Sequence, residues 1–280
     1  MLFDFFKNKD TIEKEEEKEN IILQKNFKNF NLVTEYIYQK SGITDLEKRA
    51  LVSSRLTDFA MKYQINTTDS FIEKMQIDNE FYQNVVNIVT VNETYFFREK
   101  EELDFLTQYI TKEFRSINIL SMPSSSGEEV YWIMILLHLN GVDISKVQIT
   151  GYDINSYAIK NALNGVYDQK SLHKVNESIK TQYFTLDGMG YYHIKDFIKN
   201  NTHFIQKNIF EISSESDKYD VVLSRNMFIY FNDEKRVQAL NIIIDLLKNN
   251  GIYIKGHADN IKINHSLKNI QFGVYQKIRT

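Results

Sequence analysis

Cysteine is absent from this chain of 280 residues, proline occurs once, and the formal charge is -3. Without cysteine there are no disulfides, thiolate nucleophiles or cysteine-based zinc sites, so any chemistry rests on oxygen, nitrogen or a cofactor. The missing basic excess argues against a general nucleic-acid binder. No apolar tract approaches the length of a membrane span, and the opening Met1–Lys7 is too short and wrongly charged for a signal peptide, so a cytosolic location is expected. The six histidines show no metal-ligand spacing, and no metal site is expected. Gly127 stands alone where a Gly-x-Gly-x-x-Gly fingerprint would be needed, which counts against a dinucleotide-binding oxidoreductase.

What is present suits one large or two modest domains, with 42% hydrophobic and 25% charged residues. Residues 1–20 read as a charged tail, with Glu13, Glu15, Glu16, Glu17 and Glu19 against Lys14 and Lys18 and little to bury. From 21 to 90 the periodicity is helical. One stripe is Phe27, Phe30, Val33 and Ile37; a second is Leu46, Ala50, Leu56 and Ala60 with Leu51 and Phe59; a third is Phe81, Val85, Ile88 and Val89. A small helical bundle is expected. Residues 91–280 then turn to short apolar runs alternating with amphipathic helices, the pattern of a mostly parallel sheet wrapped by helices. The alternation breaks at about 167–202, where Tyr183, Phe184, Tyr191 and Tyr192 surround Gly188 and Gly190. That segment reads as inserted, with short antiparallel strands. Phe272–Ile278 suits an antiparallel edge strand.

Several polar clusters fall at positions that carry ligands in open α/β sheets, just past strand ends. Asn92-Glu93-Thr94-Tyr95-Phe96-Phe97-Arg98 gathers polar groups, paired phenylalanines and one arginine where a helix should simply end. A capped helix end is the alternative. Ser124-Ser125-Ser126-Gly127-Glu128-Glu129 lies between the strand-like Ile117–Leu120 and an apolar helix; its two glutamates could merely complement the helix N-terminus. Asp153 ends the run Gln148–Asp153, and Arg225-Asn226 follow Tyr219–Ser224. Lys48, Arg55 and Lys62 recur every seven residues on one helix face, which suits either an acidic docking partner or a solvated surface. Between Thr34 and Gln64 five basic residues face four acidic ones, so the patch is weak.

Taken in order, these motifs, with Gly151-Tyr152-Asp153-Ile154, Gly165-Val166-Tyr167, Ile229-Tyr230-Phe231 and Gly256-His257, resemble the CheR family of chemotaxis receptor methyltransferases over most of the chain. The resemblance implies a class I S-adenosylmethionine-dependent methyltransferase sheet with an antiparallel C-terminal edge, an N-terminal helical subdomain and a small inserted β subdomain. It implies methylation of glutamate side chains on the cytoplasmic domain of transmembrane chemoreceptors during sensory adaptation, with S-adenosylhomocysteine as product. The enzyme would act as a cytoplasmic monomer recruited to receptor arrays, without nucleic acid or membrane insertion. Arg98 and Tyr230 correspond to residues beside the transferred methyl. Asn92, Thr94, Arg98, Glu129, Asp153, Asn208, Ile209, Arg225 and Asn226 correspond to cofactor contacts, Glu129 near the methionyl end and Asp153 on the ribose hydroxyls. Three positions depart from the family pattern. Pro123 fixes φ and removes an N–H in the first loop, Val130 replaces a proline, and Trp132 replaces a small polar residue. A catalytically weak cofactor-binding sensor or receptor-docking module is the alternative reading.

Overall fold

A computed structural model describes residues 30–44, 46, 50–90, 93–112, 115–212 and 218–278. The charged tail, Phe27, Lys48 and Asn92 lie outside the described residues. The chain divides into two compact units, Met1–Thr90 and Val91–Thr280.

In the first unit the helices are α1 (Phe30–Ser41), α2 (Ala50–Lys62), α3 (Thr68–Ile77) and α4 (Asn79–Val89). Polar side chains at the boundaries start the last two: Thr67 Oγ1 accepts from the Ser70 amide at 3.2 Å and Asp78 Oδ1 from the Phe81 amide at 3.0 Å. Phe81 centres the core, with Phe59, Tyr63 and Phe71 ring centroids 5.0, 5.0 and 5.1 Å away. The periodicity of α2 differs from expectation at one position. Val52, Leu56 and Ala60 are buried at four-residue spacing, whereas Leu51, about 100° round the helix from Val52, is 64% exposed. Arg55 and Lys62 are exposed on the same helix.

In the second unit α5 (Lys100–Ile110) precedes β1 (Ile117–Ser121), α6 (Glu128–Leu139), β2 (Val147–Asp153) and α7 (Ser156–Asn164). The inserted segment supplies β3 (Val166–Tyr167), α8 (Glu177–Tyr183), β4 (Phe184–Leu186), β5 (Tyr192–Ile194) and α9 (Asp196–Lys199). Then come β6 (Thr202–Gln206), β7 (Tyr219–Ser224), α10 (Asp233–Leu246), β8 (Leu247–Lys255), β9 (Leu267–Gln271) and β10 (Val274–Lys277). Among the described residues seven strands make the main sheet, in the order β6-β2-β1-β7-β8-β10-β9, and β3-β5-β4 make a small antiparallel one. The pairs from β6 to β8 are parallel, and β10 pairs antiparallel with both β8 and β9. The antiparallel margin is therefore a hairpin: the Phe272–Ile278 segment contributes β10, and β9 lies outside it.

Strand alternation assigns side chains to two cores. Ile117, Ile119, Val221, Leu223, Ile252 and Ile254 face one layer, while Leu120, Met122, Val222 and Tyr253 face the other. The first layer is built on α6, in which Val130 to Leu137 are all buried, so this helix is apolar on every side because it is covered on every side. Strand order reverses between β1 and β7, and the crevice past their carboxyl ends is where such sheets bind ligands.

Candidate functional site

The first loop leaves β1 with its backbone already committed. The Met122 amide donates to Leu223 O at 2.9 Å, Ser124 to Tyr152 O at 2.8 Å and Ser125 to Asp153 Oδ2 at 2.8 Å. The missing N–H of Pro123 therefore falls between donors used to tie the loop to its neighbours. Gly127 then turns into α6 at φ 92°, where an added Cβ would meet the Ala162 Cβ at 3.0 Å and Phe204 at 3.1 Å. The hydroxyls of Ser124 and Ser125 are buried here without a hydrogen-bond partner.

Asp153 ends β2, buried, with Oδ1 accepting from the Asn155 amide at 2.8 Å and Oδ2 from Ser125. Burial pushes its pKa up to about 6 against the opposing pull of these amides. Two carboxylate oxygens offer about four acceptor directions, and with the Asn155, Ser125 and Ile154 amides drawing on them, capacity remains for a further hydroxyl donor. The neighbouring strand end is joined to it, since the Lys207 amide donates to Asp153 O at 2.8 Å. Asn208 and Ile209, both buried, follow directly, and the Asn208 side chain accepts from the Phe210 amide at 3.1 Å.

Arg225, just past β7, joins three segments. Nη1 lies 2.5 Å from Glu129 Oε2, and Nη2 donates to Arg98 O at 2.7 Å and Glu99 O at 3.1 Å, with Glu99 Oε2 at 3.3 Å. Burial pulls its pKa down, but the carboxylates of Glu129 and Glu99 more than offset this and raise it above the ordinary arginine value. Glu129 Oε1 also accepts from Ser121 Oγ at 2.8 Å, so its role exceeds complementing a helix end. Nε of Arg225 is buried and unpartnered.

The Glu93–Glu99 loop is fixed by its phenylalanines. Phe96 is fully buried, edge-on to Tyr167 and Phe184 with centroids 4.8 and 5.3 Å away, and its amide donates to Ser171 O at 3.0 Å. Phe97 sits at φ 72° with its ring 4.9 Å from Trp132, which gives the departure at Trp132 a packing role. Between these anchors and α5 stands Arg98. Its Nη1 donates to Glu93 O at 2.8 Å and its Nε lies 3.8 Å from Glu99 Oε1, so the acid beside it is Glu99 rather than Glu101 or Glu102. A guanidinium has five donors, and most of this one's are uncommitted to protein hydrogen bonds. Thr94 is half-buried in the same loop.

Asn226 adopts φ 62°, and its amide donates to Asp259 Oδ2 at 2.8 Å. Asp259 also accepts from the Phe228 amide at 2.9 Å and the Gly256 amide at 3.1 Å, and burial pushes its pKa up to about 6. Tyr230 ends the short turn Phe228–Tyr230 and packs half-buried against the second core. Glu128, adjacent to Glu129, points elsewhere. Buried, it accepts from Ser126 Oγ at 2.8 Å and approaches Ser171 Oγ at 3.5 Å, and desolvation pushes its pKa up to about 7.

Arg98, Glu129 and Arg225 are thus one connected group, and Asp153, Asn208 and Ile209 another, both at carboxyl strand ends. Arg55 and Lys62 belong to the helical unit. Sequence reasoning missed Glu99, Ser121 and Asp259. Only Asp259 had a legible signal, an acid three residues past the Gly256 that follows a strand.

The family model described as CheR methyltransferase, SAM binding domain, matches residues 92–276. Among similar proteins, the chemotaxis protein methyltransferase of Campylobacter jejuni is 32% identical over 224 residues, covering 80% of this chain and 85% of that one. Chemotaxis protein methyltransferase 2 of Vibrio cholerae is 32% identical over 244 residues, covering 81% and 83%. The Escherichia coli chemotaxis protein methyltransferase is 26% identical over 246 residues, covering 82% and 84%.

Proposed function

The chain belongs to the CheR methyltransferase family, a group of S-adenosylmethionine-dependent chemotaxis protein methyltransferases, and from that premise we propose that it esterifies glutamate side chains on the cytoplasmic domains of transmembrane chemoreceptors. The observation that carries this reading is the convergence of the Arg98 loop on the carboxyl ends of β1 and β7 through Arg225, which puts a largely uncommitted guanidinium beside the cofactor end of the sheet.

The residues present fit the cofactor. Asp153 keeps acceptor capacity for a ribose hydroxyl, and the buried hydroxyls of Ser124 and Ser125 and Nε of Arg225 lack protein partners. Asn208 and Ile209 would flank the adenine, Glu129 and Asn226 the methionyl end. When bound, S-adenosylmethionine supplies an electrophilic methyl group on a sulfonium. The incoming glutamate needs no general base because its carboxylate is ionised at neutral pH. What the protein would contribute is placement: Arg98 would fork onto that carboxylate and orient one oxygen toward the methyl, with Tyr230, at the end of the turn after β7, as the second residue assigned to that role. Arg55 and Lys62, exposed on α2, suit an acidic receptor helix. Among the described residues no helix is long and apolar enough to cross a membrane.

The test is calorimetric titration with S-adenosylmethionine and S-adenosylhomocysteine, then labelled-methyl transfer to chemoreceptor-containing membranes. Base-labile incorporation is expected. Binding without incorporation on any receptor would favour a docking or sensor module instead. Arg98→Ala should lower transfer by about a hundred-fold or more with a much smaller loss of cofactor affinity. Asp153→Ala should do the reverse, weakening cofactor binding by roughly ten- to a hundred-fold.

A further inference from the structure

Beside the Arg225 group lies a set of side chains to which methyl transfer assigns no role. Glu99, Glu102 and His257 bring one ligating atom each within 4.8 Å of one another, Glu99 and Glu102 from the start of α5 and His257 from the turn after β8. Glu102 is the unusual member. It is only 1% exposed, and both its carboxylate oxygens are buried; Oε1 is met by His257, while Oε2 has no hydrogen-bond partner. His257 Nε2 lies directly against Glu102 Oε1, and the His257 amide reaches toward Glu99 Oε2 at 3.4 Å. Gly273 closes the far side, where an added Cβ would stand 3.4 Å from Glu102 Oε1.

A buried carboxylate with one oxygen left unpartnered is costly unless a positive charge compensates it. Arg225 interacts with Glu102 through its charge, but its η nitrogens are engaged by Glu129, Glu99 and the Arg98 carbonyl. Two carboxylates and an imidazole are the hard and borderline donors that suit a first-row divalent ion, and three protein ligands leave a position for water. The His257 side chain is 43% exposed, which provides an entry path to an otherwise closed floor.

We propose that Glu99, Glu102 and His257 form a binding site for a divalent transition-metal cation of the Zn2+ type. Binding bridges the start of α5 to the turn after β8 and so ties down the Glu99 end of the Glu93–Glu99 loop. Sequence spacing could not reveal the set, because His257 stands 155 residues beyond Glu102 in the chain.

Chelator-treated full-length protein is titrated with Zn2+, and separately with Mg2+, by calorimetry. The expected result is one Zn2+ per chain in the micromolar range or tighter, with no comparable Mg2+ signal. Glu102→Gln and His257→Ala should each weaken Zn2+ binding by at least about ten-fold, and His193→Ala, at an unrelated histidine–aspartate pair, should leave it unchanged. If Glu102→Gln fails to fold, the half-exposed His257→Ala carries the comparison. Absent Zn2+ binding, or binding indifferent to both substitutions, would overturn the site and leave Glu102 with only its protein neighbours His257 and Arg225.

Discussion

Replacing Arg225 with methionine would keep much of the side-chain volume while stranding Glu129 and Glu99, whose side chains are only 12% and 16% exposed. Breaking a buried ion pair from one side typically costs about 3–5 kcal/mol, because the remaining charge loses its compensation. Arg225→Met should therefore lower stability by roughly that much in urea unfolding at neutral pH. Adding Glu129→Gln should restore part of the loss, since the stranded charge is then removed as well. A double-mutant cycle with additive effects would show that the two residues are not coupled. The sequence offered both residues as cofactor contacts but gave no sign that they pair, because 96 positions separate them.

At the scale of one element, the Glu93–Glu99 loop sets backbone strain against ring packing. Phe97 holds φ 72° and Glu99 φ 47°, values that side chains with a Cβ rarely adopt, while the Phe97 ring rests on Trp132. Phe97→Ala loses the ring and keeps the strain; Phe97→Gly loses the ring but relieves it. The glycine variant should accordingly be the more stable of the two by about 1 kcal/mol, with both below the wild type in thermal unfolding. Equal stabilities would mean that the positive φ is not maintained in solution. The paired phenylalanines were visible as a motif, but not the division of labour in which Phe96 turns to the inserted segment and Phe97 to α6. Trp132 read in isolation was a departure from the family pattern. Its ring acquires a purpose only once α6 lies beneath the loop.

For the molecule as a whole, the charge environment differs between the two ends of the sheet. At the carboxyl end, burial raises Glu128 to about 7 and Asp153 and Asp259 to about 6. At the opposite end Asp220 is held below its ordinary value: burial opposes its charge, but the Asn118 amide, Lys248 and Arg115 outweigh it. A raised carboxyl contributes stability that is fully present below its unfolded pKa and is lost as pH rises through the folded one. A lowered carboxyl contributes stability above its unfolded pKa that is lost on acidification. Glu128 should thus cost the unliganded protein about 3 kcal/mol of stability between pH 4.5 and 8, at about 1.4 kcal/mol for each pKa unit. Glu128→Gln removes that titration. Its stability relative to the wild type should rise by a similar amount over the same pH range in denaturant titrations, and a pH-independent difference would contradict the burial argument.

Local information was enough for the order of helices and strands, the inserted segment and the polar clusters at strand ends, because hydrophobic period and chain direction are properties of short windows. It was also enough to place Asp153 and Arg225 at the carboxyl edge of the sheet, since one ends and the other follows a buried parallel strand. Only the tertiary structure decided which of these groups meet: that Arg225 pairs with Glu129, that Glu128 turns instead to Ser126 and Ser171, and that β9 lies outside β10. Those outcomes depend on how loops distant in sequence are brought together by strand order, and the electrostatics of a buried group are set by whatever arrives beside it.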